Sequence, residues 1–187
     1  MKLVTLVLAL VLALGGCSRG PSPAPCGDAD AGAPVDATLL AFLSRARAAH
    51  HLADQAEAAH DLPRAVSALE AVTAGPLPPG KGEAAPEVRE VLADTLARLA
   101  DLTSQQGDAE AAGRHLERGL RLVPTPTYFR GHLFEVRGLV EERNAARLER
   151  AGDAAQAAQA KARALEALEA AMKIQAEVIG KGADPKP

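Results

Sequence analysis

ADTLARLADLTSQQGDAEAAGRHLERGLRLVPTP, residues 93–126, decides how the rest of the chain is read. Leu96, Leu99 and Leu102, with Val88 and Leu92 just upstream, recur at spacings of three and four, which puts them on one face of a helix. The pattern stops at Gly107-Asp108, a glycine suited to leave a helix followed by an aspartate suited to cap the next one. Ala112, Leu116, Leu120 and Val123 then resume the same spacing over residues 109–123. Pro124 closes this second helix, and Thr125-Pro126 reads as a cap with proline at the first position of another. Proline is tolerated in a first turn or beyond an end but not in the interior. The stretch predicts two helices joined by a short turn, which makes them antiparallel.

The same punctuation recurs outward. Prolines fall at 63, 76, 78, 79, 86, 124 and 126 and then not until 185, so long helices fit in the gaps. Asp36 is placed to cap a helix over about 36–59, with Leu39, Phe42, Ala46, Ala49, Ala53 and Ala56 as its stripe. Asp61 is placed to cap a second, with Pro63 in its first turn and Val66, Leu69 and Val72 inward. Downstream, a fifth helix runs to about residue 150 with Phe129, Leu133, Val136 and Val140 inward. After Gly152-Asp153 a sixth runs to Ile179, carries Leu165, Leu168, Met172 and Ile179 at heptad-like spacing, and ends at Gly180. The expected fold class is all-α: three antiparallel helical hairpins, 36–74, 86–123 and 127–179, within a domain spanning residues 36–180. Residues 75–85, GPLPPGKGEAA, form a long loop, and 181–187 a disordered tail. An untwisted helical bundle is the architectural alternative.

Residues 93–126 resemble one tetratricopeptide repeat, a helical hairpin of about 34 residues. Leu96, Leu99, Ala100 and Thr103 occupy its first group, Ala112 and Leu116 its second, Gly119 its small position and Pro124 its close. The family's aromatic positions are not aromatic here. An offset of 47 residues upstream places Ala65 on Ala112, Leu69 on Leu116 and His60-Asp61 on the Gly-Asp turn. An offset of 45 downstream places Gly152-Asp153 on that turn and Ala157 on Ala112, but Lys161 on Leu116. The resemblance implies a stacked array with a concave groove lined by the first helix of each hairpin. That groove would hold Arg47, His50, Asp54 and Glu57, then Asp94, Ala97, Asp101 and Ser104, then Glu142, Ala146 and Glu149. Its acids outnumber its bases, so the implied partner is a basic peptide or a Lys/Arg-rich protein surface.

The N-terminus says where the chain is sent. Lys2 precedes an apolar run, Leu3–Leu14, too short to span a bilayer, which needs ~20 residues. A cationic start, a short apolar run and small residues make a secretory signal. Leu14-Gly15-Gly16-Cys17 resembles the lipobox of bacterial lipoproteins, which implies that residues 1–16 are a signal peptide and that Cys17 is lipidated and begins the mature chain. Two or three acyl chains anchor firmly where one is marginal. The residue after the cysteine is Ser18 rather than the aspartate that tends to hold such lipoproteins in the inner membrane. The expected location is therefore the outer membrane, facing the periplasm. Residues 17–35, rich in Pro, Gly and Ala, read as a flexible tether. Cys26 is either a passive thiol or an intermolecular disulfide partner. With no third cysteine, neither a disulfide framework nor a cysteine-based zinc site is available within one chain.

The chain's net charge of −3 becomes −4 once residues 1–16, with Lys2, are removed. A mildly acidic chain without a basic tract speaks against nucleic acid. His50, Asp54, Glu57 and Asp61 share a helical stripe, but no zinc motif is present and the five histidines do not cluster in sequence. No cofactor, small-molecule substrate, phosphate loop or nucleophile–base pair is legible. Three of the four aromatics, Tyr128, Phe129 and Phe134, fall within seven residues. Phe129 shares the Leu133 stripe, which leaves Tyr128 or Phe134 as an exposed interface anchor. The expected function is a non-catalytic, membrane-anchored interaction scaffold or assembly factor of the bacterial envelope; pilotins are lipoproteins of this kind. The candidate partner-binding residues are His50, Asp54, Glu57, Asp94, Asp101, Tyr128 and Phe134. The alternative is a self-associating structural lipoprotein that uses the 127–179 hairpin as a coiled-coil-like surface; a metal-binding protein or an enzyme is the remoter one.

Overall fold

The computed structural model describes residues 36–78 and 84–183; the expected signal peptide (1–16) and tether (17–35), with Cys17 and Cys26, residues 79–83 and residues 184–187 lie outside them. Six helices follow in order: α1 (Ala37–Ala58), α2 (Leu62–Thr73), α3 (Pro86–Gln105), α4 (Ala109–Leu122), α5 (Tyr128–Arg150) and α6 (Ala154–Ala183). Val35–Pro187 forms one compact unit by itself.

The helix starts are fixed by the short acceptors that the sequence supplies. Asp36, Asp61 and Asp108 accept from the backbone N–H of Thr38, Arg64 and Ala111. Asp153 accepts from Gln156. The fifth start differs from expectation: Thr127, not Thr125, is the cap, accepting from Arg130 N, and Pro126 stays outside the helix. The sixth helix passes through Gly180 to Ala183, one glycine being too small a penalty to stop a 30-residue helix.

Three hairpin turns are built alike. At His60-Asp61, Gly107-Asp108 and Gly152-Asp153 the aspartate N–H donates five residues back, to Ala56, Thr103 and Leu148. The preceding N–H donates three back, to Glu57, Ser104 and Glu149. This is the paired bonding of a left-handed helix exit. Accordingly φ is +58° at His60, +92° at Gly107 and +80° at Gly152.

Backbone packing joins each helix to its chain neighbours and, for α1, α3 and α5, to the next odd-numbered helix. Between the even helices, α4 reaches α2 through side chains: Arg118 donates to the Thr73 carbonyl at 2.8 Å, and Leu122 packs on the core that Leu69 helps to form. Helix α6 packs on α5, and α1 packs on neither α5 nor α6. This is a stacked array of hairpins with the odd helices as its inner layer, rather than a bundle around one axis. Three apolar clusters fill the stack. Ala53, Ala56, Leu69, Leu96 and Leu99 join α1, α2 and α3; Phe42, Val72 and Val88 extend that contact. Ala100, Ala112, Leu116, Leu133 and Val136 join α3, α4 and α5.

The last hairpin is assembled differently. The buried stripe of α6 is alanine throughout, at 157, 160, 164, 167 and 171, while Leu165, Met172 and Ile179 are 60–71% exposed. The heptad spacing expected of Leu165, Leu168, Met172 and Ile179 is present, but of that row Leu168 packs on α5 while Leu165, Met172 and Ile179 face outward. Small residues on α5 explain the arrangement. A Cβ at Gly138 would lie 2.6 Å from Leu168 Cγ and 3.3 Å from the Ala164 carbonyl oxygen. Gly131 and Gly138, with Ala145 one heptad further on, let the two backbones approach closely and leave Leu168 seated over Gly138.

Candidate interaction surface

The polar stripe of the inner layer is a set of clamps between successive hairpins. Arg98, projecting from α3, donates to Asp54 at 2.6 Å and to Glu57, both on α1. Its pKa is raised: burial opposes the charge, and the two carboxylates outweigh it. One hairpin later, Arg143 of α5 donates to Ser104 Oγ at 2.8 Å and lies 2.6 Å from Asp101 Oδ1, too poorly directed there for a hydrogen bond. Asp54 and Glu57 map onto Asp101 and Ser104 by the 47-residue offset, and Arg98 maps onto Arg143 by the 45-residue offset. The two clamps are thus equivalent parts of two repeats.

His50, on the same stripe, shares a hydrogen bond of 2.9 Å with Thr95 Oγ1 of α3. Thr95 is fully buried and also donates to the Val91 carbonyl, so its hydroxyl proton is committed and His50 Nε2 is the donor. Burial lowers the His50 pKa, and the Arg98 charge works in the same direction against Asp94 and Asp54. Of the acids expected in the groove, Asp54, Glu57 and Asp101 are thus neutralised by the chain's own arginines, and Glu149 by Lys161 at 2.5 Å. Asp94 forms no ion pair among the described residues. No group of three or more His, Cys, Asp or Glu side chains among them is arranged to hold a metal ion, and no helix is long and apolar enough to cross a membrane.

The aromatic residues divide as their positions on α5 dictate. Phe129 packs half-buried against the α3–α5 core. Tyr128 is 60% exposed, edge-on to Phe129 at 5.5 Å and parallel to the His132 ring at 6.2 Å. Phe134 is half-buried, with the guanidinium carbons of Arg130 and Arg137 at 5.3 and 5.6 Å from its ring centre. It forms one wall of a cleft of about 410 Å³ between α4, α5 and α6. Arg137 and Arg163 also line the cleft, but each is paired, with Glu117 and Glu141.

The structure therefore brings His50, Asp54 and Glu57 together with α3, sets Asp101 in the next clamp, and puts Tyr128 and Phe134 on different sides of α5, about 120° of helix apart. Reading residue types missed Arg98 and Arg143, and the 45-residue offset between them was the signal. It also did not name the alanine stripe of α6 as its buried face, because alanine is not normally chosen over leucine there. No protein-family model matches the chain, and neither the curated proteins nor the solved structures gave a match.

Proposed function

We propose that this chain is a lipid-anchored, non-catalytic interaction scaffold of the bacterial envelope, held by Cys17 at the periplasmic face of the outer membrane. The observation that carries the scaffold reading is the open array itself. Hairpins touching only their neighbours leave long surfaces uncovered, which is how such stacks recruit partners. The three like turns and the two equivalent arginine clamps support the tetratricopeptide resemblance. The apolar run Leu3–Leu14 before Leu14-Gly15-Gly16-Cys17 supports the anchor.

The inner-layer acids are engaged by Arg98 and Arg143, so a basic peptide would have to displace intramolecular pairs to use them. The exposed Tyr128, and Phe134 in the cleft on the other side of α5, are the better partner contacts: an amphipathic ring such as Tyr128, already fixed by Phe129, loses little entropy on docking. Crosslinking in intact cells, followed by pull-down of wild type, Cys17→Ala and Tyr128→Ala, tests the reading. One envelope protein should be recovered with wild type and lost with both variants. Recovery of the chain alone would reject the scaffold reading, and recovery unchanged by Cys17→Ala would reject the anchor.

A further inference from the structure

The groove between α1 and α2 is filled by α3, and the groove between α3 and α4 by α5. The equivalent groove between α5 and α6 is filled by none of the described residues. It forms a hollow of about 300 Å³ lined by Glu142, Ala145, Ala146, Leu165 and Leu168. Along its α6 rim, Lys161, Leu165, Leu168, Met172, Gln175 and Ile179 recur at alternating steps of four and three, the spacing of a helix-pairing seam. Leu165, Met172 and Ile179 are 60%, 63% and 71% exposed, and Leu139 of α5 adds a fourth exposed apolar side chain beside them. A repeat array ordinarily presents a polar outer face at its ends. The other end does so. The outer row of α1 is Ala37, Ala41, Ser44, Ala48, His51 and Gln55, all exposed. Leu40 and Leu52 flank that row on opposite sides, about 120° of helix apart, and form no seam.

We propose that the α5–α6 end face pairs two copies of this chain about a two-fold axis, with α6 antiparallel to α6 of the second copy and Met172 at the axis. The seam itself argues for this occupant. Leu165 and Ile179 stand seven residues either side of Met172, so antiparallel pairing about that residue sets Leu165 against Ile179 of the second copy and Gln175 against the Glu169 carboxylate. All the large exposed residues of α6 are then covered at once. The overlap of residues 161–183 is about 34 Å long and, two helices wide, about 20 Å across. That is ~700 Å² per copy, close to the ~800 Å² per partner of a standard interface. Head-to-tail stacking is disfavoured, because the polar row on α1 offers the seam no apolar counterpart. Each chain has one such face, so pairing closes at two.

The test uses a chain that begins at Ser18 and carries Cys26→Ser, so that no lipid or native thiol contributes. Sedimentation should give a dimer at micromolar concentration. Leu165→Glu and Met172→Glu should each weaken it at least tenfold while the helical circular dichroism is unchanged. Under mild oxidation Met172→Cys should crosslink to itself, whereas Leu165→Cys should crosslink only when mixed with Ile179→Cys. A monomer at 100 µM would overturn the proposal. So would a dimer indifferent to the α6 substitutions, one lost with Ala48→Glu instead, or self-crosslinking of Leu165→Cys in preference to Met172→Cys. If a photocrosslinker at Met172 in cells captures a different protein and no second copy, the face belongs to that partner and the proposal fails. The scaffold reading is judged separately, by Phe134→Ala, whose side chain lies in the cleft on the other side of α5 and which should leave the dimer intact.

Discussion

Helix α3 is touched by α1, α2, α4 and α5, whereas α6 is touched by α5 alone. The first buries Leu92, Leu96, Leu99 and Leu102 on both of its flanks; the second buries a single row of alanines and turns Leu165, Met172 and Ile179 outward. Both are regular helices, so propensity does not separate them. What separates them is the distance to the neighbouring backbone. Between α3 and its neighbours there is room for leucine, and each one contributes some 1.5–3 kcal/mol of burial. Against Gly131 and Gly138 the backbones stand closer, with Leu168 fitting over Gly138 because that position has no Cβ, and the rest of the α5–α6 contact is made by alanines through many small dispersion contacts.

Substitutions can break this contrast. Leu99→Ala should be the costliest, about 2–5 kcal/mol, because it opens a cavity in a fully packed site. Leu165→Ala, made at concentrations where the chain is monomeric, should cost less than about 0.5 kcal/mol. Urea unfolding of the two variants measures the difference; equal losses would mean that α6 is packed as α3 is. Next comes Gly138→Val, expected to cost about 1–3 kcal/mol by forcing α5 and α6 apart. The Ala164 carbonyl is backbone and cannot swing aside as a side chain could. Its effect should appear as faster hydrogen exchange confined to those two helices.

Arg98→Ala should cost about 1 kcal/mol, with Asp54 largely exposed and Glu57 partly so, and the loss should shrink in high salt. If salt leaves it unchanged, the clamp is packing rather than charge. His60→Gly should raise stability by about 0.5–1 kcal/mol, since histidine holds a left-handed conformation that glycine adopts freely. The smallest effect is one of pH. Burial lowers the pKa of both His50 and His115, so the unfolded chain takes up protons first as pH falls. The stability these histidines contribute is complete above their ordinary pKa of about 6.5 and declines below it, until the folded values are passed. His50→Gln should flatten part of that decline in a series of melts between pH 7.5 and 5.

Much of this was legible in the residues. Asp36, Asp61, Asp108 and Asp153 announce helix starts because a carboxylate satisfies orphan N–H groups wherever it stands. Gly107 and Gly152 announce exits for a similarly local reason. His60 was found only by the 47-residue offset, since histidine carries no such signal of its own. The heptad spacing of α6 left open which of its faces meets α5, because hydrophobic spacing reports that a stripe exists, not which of two stripes meets the neighbour. Alanines 157 to 171 and leucines 165 and 168 both follow the three-four rule, and only the glycines on another helix decide between them. The acids of the inner layer were read as a groove for a basic partner because composition counts charges without their partners. Arg98 and Arg143 lie 41 to 44 and 42 residues from the carboxylates they meet.

The neighbour-only contacts also set how the molecule would bear tension. A pull applied between residue 36 and the last helix has no shortcut across the stack, so every hairpin junction carries the whole load in series. The junctions are unequal: the first hairpin meets α3 over the smallest contact, and α6 lies along α5 over the largest. The stack then behaves as a chain of graded links that opens first at the junction of its first two hairpins while the α5–α6 pair stays closed.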